Sequence, residues 1–234
     1  MSAPHVGLTD DRYFRTHEHG GRSWLVPRED VECVKVVFDG PRDLEVAYKY
    51  VKHWGVAVQA GGNFGAWPRA MAERFATVYT FEPDPVNFAC LSVNLADKLN
   101  VVKMQAALGS SDQRTISIVG DRKNSGALHV GVRDEEDEEH EYAPGVLPLT
   151  DLDAIVGDTA PGLIQLDLEG FEYYAIEGYR GALVDGCRPV FMVEEKGLGA
   201  QYEVPDGQIA KYLARFGYRE VDRVNRDVIY AVAK

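Results

Sequence analysis

The chain is short of cysteine, of long apolar runs and of positive charge, and each shortage narrows what it can do. Its three cysteines, Cys33, Cys90 and Cys187, are odd in number, far apart and in no C-x-x-C pair. That pattern argues against a disulfide framework and against a zinc cluster, and it points to a reducing, cytoplasmic setting. No stretch approaches the roughly 18 apolar residues of a membrane span, and the polar first residues lack the apolar core of a signal peptide. Lysine and arginine number 25 against 37 acids, a formal net charge of −12. Arg133 to Glu141 hold seven acids and one arginine, so that segment alone carries −6. Binding a phosphate backbone requires a basic footprint that neither part offers, so neither nucleic acid nor a membrane is an expected partner.

What is present is ordinary for a globular protein: 45% hydrophobic and 26% charged over 234 residues. That length suits one large domain or a domain with an appendage. The organising stretch is VAVQAGGNFGAWPRAMAERFATVYTFEP, from Val56 to Pro83. Val56 to Val58 reads as a buried strand, Gly61, Gly62 and Gly65 as a turn, and Ala66 to Phe75 as a helix. Val78 to Phe81 reads as a second strand ending on Glu82. Nucleoside-binding βαβ units have this order, with a carboxylate about 20 residues past the glycines to accept from ribose hydroxyls.

The flanking segments extend the pattern. Residues 1–55 form an N-terminal extension, with strands at Ser23 to Pro27 and Cys33 to Phe38 and a helix through Leu44, Tyr48 and Val51. It can cap the sheet, cover a ligand or mediate a homo-oligomer. His17-Glu18-His19 alternates ligands, but with no third ligand nearby a solvated loop is expected. Residues 56–234 form the main domain. Asp84 is expected to cap a helix that Pro85 opens, with Phe88, Leu91, Leu95 and Leu99 on its buried stripe. Further strands are expected at Val101 to Gln105 and Leu163 to Leu168, and at Val190 to Val193, which runs onto Glu194. Thr115 to Val119 alternates weakly, and Gly120 to Gly145 reads as a long irregular loop, a form typical of functional lids. Helices over Phe171 to Gly178 and Asp206 to Phe216 precede a closing hairpin that implies an antiparallel edge strand. Strands alternating with helices specify a parallel α/β sheet.

In such a sheet ligands bind beyond the carboxyl ends of the strands, where Gly61 to Gly65, Glu82, Gln105, Asp167 with Glu169, and Glu194 collect. Any one of these is more simply a loop acid or a turn glycine; the set on one side of the sheet is not. The turn departs from G-x-G-x-x-G, so a pyrophosphate fits poorly and S-adenosylmethionine fits better.

VAVQAGGNFG, VYTFEPDPVNFACLSVNL, AALG and LIQLDLEGFEYYAIEG resemble the FkbM family of S-adenosylmethionine-dependent methyltransferases over about Val56 to Glu195. The resemblance implies a class I, Rossmann-like methyltransferase fold: seven mostly parallel strands, one of them antiparallel, in a three-layer α/β/α arrangement. It implies O-methylation of a hydroxyl on a sugar or natural-product acceptor. Gly61, Asn63 and Gly65 would line the methionine part of the cofactor and Glu82 the ribose, with Gln59, Gly62, Phe64, Pro83, Gln105 and Ala106 around them. Asp167 and Glu169 would form the transfer site, either of them as the base. Independently of the resemblance, the loop from Gly120 to Gly145 is the expected source of substrate choice, with Asn124 and Ser125 as its contacts and Glu194 beside them. Family members usually have an acid at the end of strand one and a basic residue before D-x-E-G. Gln59 and Gln165 stand there in this chain.

Alternatives stay open. Asp167 can be a cofactor-binding or structural hydrogen-bonder and Glu169 a helix cap. The two carboxylates can also hold a divalent cation, although no metal motif stands out. A nicotinamide-dependent oxidoreductase and an inactive methyltransferase-fold binding subunit are the rival functions. Tyr13, Trp24, Trp54, Trp67, Tyr173 and Tyr174 are candidates for a sugar-stacking platform, though core packing is the commoner use of such residues.

Overall fold

A computed structural model describes residues 12–110, 115–131, 147–156 and 159–232; the acid run at 133–141 lies outside them. The chain opens with an antiparallel hairpin, β1 (Phe14–His19) and β2 (Arg22–Pro27), followed by two short helices, α1 (Cys33–Val36) and α2 (Leu44–Tyr48). The organising unit is β3 (Val56–Ala60), α3 (Ala66–Met71) and β4 (Thr77–Phe81). Next come α4 (Pro85–Asn94) and β5 (Val101–Met104), then short strands β6 (Ala107–Leu108), β7 (Thr115–Ile116), β8 (Ile118–Val119) and β9 (His129–Val130). The second half holds β10 (Leu147–Thr150), α5 (Leu152–Val156), β11 (Leu163–Leu166), α6 (Glu172–Glu177) and α7 (Arg180–Val184). It closes with β12 (Val190–Glu194), α8 (Gln208–Ala214), β13 (Tyr218–Val224) and β14 (Asp227–Val232).

Seven strands form the main sheet in the order β13-β14-β12-β11-β3-β4-β5. The central strands are apolar on both faces, as parallel strands covered by helices must be. Side chains alternate between the two faces. Val58, Ala60, Ile164, Leu166, Phe191 and Val193 pack with the side of α5 to α8. Ala57, Val78, Leu163 and Met192 pack with Leu44, Met71, Leu91 and Leu95 on the other face. The result is three layers, as expected.

Several local expectations are corrected. Only β14 runs against its neighbours, and it lies between β12 and β13, so the antiparallel strand is internal and the edge strand β13 is not the reversed one. Cys33 to Phe38 is helix and turn: Cys33 and Val34 bury against Trp24, Val26 and Phe64, and among the described residues no strand pairs with this segment. His17-Glu18-His19 lies in β1 rather than in a loop, and both imidazoles stack on Phe38. Asp84 caps α4 by accepting from Val86 N and Asn87 N at 3.0 and 2.8 Å. The helix stops at Asn94, which leaves Leu99 almost fully exposed. The expected loop from Gly120 contains a 3-10 segment, Arg122–Ala127. Among the described residues, no helix is long and apolar enough to cross a membrane.

Candidate active site

β3 and β11 are adjacent, and the chain leaves them toward opposite edges of the sheet, so a crevice opens beyond their carboxyl ends. Gly61 and Asp167 stand at that point. Gly61 has φ +83°, and a Cβ there would lie 2.0 Å from the Asp167 carbonyl oxygen. Only glycine lets the two loops approach this closely. Gly61 N and Gly62 N both donate to Phe81 O, which ties the turn to β4.

Glu82 follows β4 and is buried. Its Oε2 accepts from Asn63 N at 2.7 Å and its Oε1 from Asp84 N at 2.8 Å. Burial pushes its pKa up to about 8, helped by neighbouring Asp84 and opposed by those two backbone donors. The carboxylate therefore shapes the glycine turn while facing a cavity of about 790 Å³, including its mouth. Gly61, Asn63, Glu82, Pro83, Ala106 and Asp167 line that cavity among apolar walls from Leu108, Ile118, Leu128 and Phe171.

Other expected cofactor residues lie elsewhere. Gln59 is fully buried: its Nε2 donates to Gly61 O at 3.0 Å, and its Oε1 accepts from Thr80 Oγ1 at 2.6 Å. It braces the turn from beneath and does not line the cavity. Phe64 is core, Gly62 packs on Leu91 and Thr80, and Gly65 leads into α3 in a left-handed conformation. Gln105 is exposed and is not among the residues lining the cavity.

A second cavity adjoins the first across Asp167, Glu169, Cys33 and Trp67. Asp167, Glu169 and Glu194 each place a carboxylate oxygen within 4.8 Å of the others. Lys196 was missed by sequence reasoning, yet its Nζ sits among them, 2.6 Å from Glu169 Oε1, 2.6 Å from Glu194 Oε2 and 3.8 Å from Asp167 Oδ1. Loss of water pushes Asp167 well above the usual carboxylate range, and Glu194 adds to this while Lys196 opposes it. Burial alone would lower the Lys196 pKa, but the three acids outweigh it and raise it.

Glu169 is not a helix cap. It has φ +53°, and Glu172 does the bracing, its Oε1 accepting from Leu168 N at 2.8 Å and from Gly170 N at 3.1 Å. Asn124 lines the second cavity and Ser125 the first. The Ser125 hydroxyl is already committed, donating to buried Asp30, which also accepts from Val34 N. Of the aromatic candidates, Trp67 lines both cavities. Tyr13 is exposed, and Trp24 belongs to the core.

The strand order, the glycine turn and the D-x-E-G loop agree with one family, and the comparison decides it: the methyltransferase FkbM domain matches residues 59–220. The chain belongs to that family. No curated protein matches it. Among solved structures, M. jannaschii TYW2 in complex with AdoMet is 14% identical, with 95% of this chain and 88% of that one covered and a TM-score of 0.41. The precorrin 8w decarboxylase of Methanobacterium thermoautotrophicum is 14% identical at TM-score 0.47, over 88% of this chain and 97% of that one. The T. thermophilus 16S rRNA methyltransferase RsmC, with AdoMet and guanosine, is 12% identical at TM-score 0.47, over 94% and 50%. This FkbM chain has the class I methyltransferase fold, with its cavities at the switch point of the sheet.

Proposed function

We propose that the protein is an S-adenosylmethionine-dependent O-methyltransferase acting on a small hydroxylated acceptor. The observation that carries this reading is the pairing, on one cavity wall, of Gly61 with buried Glu82, 21 positions later in the chain. The residues fit that cofactor. Gly61 lets the turn after β3 pack directly on the Asp167 carbonyl and so sets the cavity wall, Glu82 offers its remaining lone pairs to ribose hydroxyls, and the walls around Pro83, Ala106 and Leu108 suit an adenine ring. Asn63 would meet the amino-acid end, while Gln59 serves by holding the turn.

The cofactor, when bound, supplies a methyl group activated on a sulfonium. Asp167 and Glu169 border both cavities, so either carboxylate can take a proton from an acceptor hydroxyl held in the second one. With the cofactor in place, the carboxylate would keep the proton released from the acceptor hydroxyl as that oxygen receives the methyl group. In-line displacement depends on placement, which the rigid strand ends supply. Of the two acids, Asp167 is the freer to act, because Lys196 Nζ holds Glu169 at 2.6 Å and stands 3.8 Å from Asp167.

Calorimetric titration of the full chain with S-adenosylhomocysteine and, separately, with NAD tests this. The homocysteine compound is expected to bind and NAD not to. Binding of NAD alone would overturn the reading in favour of an oxidoreductase.

A further inference from the structure

The second cavity is crowded with acids. Asp43, Asp167, Glu169, Glu194 and Asp227 line it, against Lys196 and Arg226. Lys196 serves Asp167, Glu169 and Glu194, and Asp43 accepts from Asn225 Nδ2 at 2.7 Å. Asp227 is different. It opens β14 directly opposite Glu194 of β12, a like-charge cross-strand pair that costs stability. The residue is only 8% exposed, it lines the cavity, and its carboxylate has no hydrogen bond or ion pair among the described residues. Its oxygens are reached only from the cavity, so a group bound there is the one partner they could gain. Burial, then Glu194 and Asp43, push its pKa up to about 7.

From this geometry we infer that the acceptor carries an ammonium group beside its hydroxyl, and that Asp227, with Glu194 and Asp43, receives it. The acceptor class is thus an amino-alcohol or amino-sugar, and a phosphate or carboxylate on the same skeleton would be rejected by the surrounding acids. The Lys196 ammonium, held by two carboxylates at 2.6 Å, shows the kind of group this wall accommodates. A protonated amine has no lone pair to attack with, so it anchors the acceptor while the hydroxyl reacts. The inference rests on the methyltransferase reading, since it takes this cavity as the acceptor's.

The test uses the full chain saturated with S-adenosylhomocysteine and three probes of one skeleton: 2-aminoethanol, ethylene glycol and glycolate, titrated by ligand-observed NMR at about pH 7.5, where the amine is charged. The amine is expected to bind about tenfold more tightly than the glycol, as a charge-assisted contact implies, and glycolate not to bind. Asp227→Asn should remove that preference while leaving S-adenosylhomocysteine affinity unchanged, which also reports that the variant is folded. An amine with no advantage, or an advantage that survives Asp227→Asn, overturns the inference. So does Mg²⁺ displacing the amine at lower concentration than the amine itself needs, which would make the wall a metal site. If S-adenosylhomocysteine fails to bind, the methyltransferase reading fails first; if it binds and the amine shows no preference, only the acceptor class is wrong.

Discussion

The two cavities meet at Asp167 but are built from different materials. The first is backbone-made: a glycine turn, two amides on Glu82, and apolar walls that need only small size. The second is made of side chains, drawn from the turn before α2, the ends of β11 and β12, and the start of β14. A backbone-made site is rigid and intolerant of added atoms. A site of opposed charges tolerates shape changes but depends on the balance of its charges.

The largest expected effect comes from adding atoms to the first cavity. Gly61→Ala places a Cβ against the Asp167 carbonyl at a left-handed φ, and should cost about 3 kcal/mol or more, read as a fall in Tm together with loss of cofactor binding. On the second cavity the counterpart is Asp167→Asn. It should lower the methyl-transfer rate by about 10² to 10⁴ while cofactor affinity holds, as removal of a general base requires. An undiminished rate would leave Glu169 as the base and move the chemistry off the shared wall.

Lys196→Met comes next. Three acids lose their cation, so stability should fall by about 2 kcal/mol. Asp167 should rise further, moving the acidic limb of the pH–rate profile upward, and Lys196→Arg should restore it. A profile that does not move would reduce Lys196 to a packing role.

A smaller effect is set by pH. Glu82 is raised to about 8 and Glu172 to about 7, both chiefly by burial. Between their unfolded values near 4.5 and these folded values, the folded protein holds protons that the unfolded chain has released. Their stabilising contribution is therefore complete below about pH 4.5 and is lost as pH rises through 7 to 8. Tm should fall across that window, and Glu82→Gln should flatten the fall. The smallest effect belongs to Leu99→Ser, at an almost fully exposed position, which should stay within about 0.5 kcal/mol and so calibrate the others.

Legibility in sequence followed the same division. β3, the turn, β4 and the Asp84 cap are encoded within 30 consecutive residues by local rules of glycine, proline and apolar run, so they read directly. The D-x-E-G loop was visible too, although Glu172 rather than Glu169 braces it. Lys196 and Asp227 gave no signal, because one lies in a loop after β12 and the other is simply an acid in a hairpin. Only the insertion of β14 beside β12 brings them together, and strand order cannot be read from spacing. Cys33 to Phe38 misled for a related reason: β-branched residues favour strands only where a sheet edge is available to pair with.

The walls of the second cavity that come from Cys33, Asp43 and Asp227 all fall beyond the span 59–220 that defines the family, whereas the turn and Glu82 fall within it. Through Asp30, the segment before β3 also grips the 3-10 turn that carries Asn124 and Ser125. On the function proposed above, the two flanks of the chain contribute to acceptor choice. Grafting both flanks of one relative onto the centre of another should exchange what is methylated without disturbing what donates the methyl.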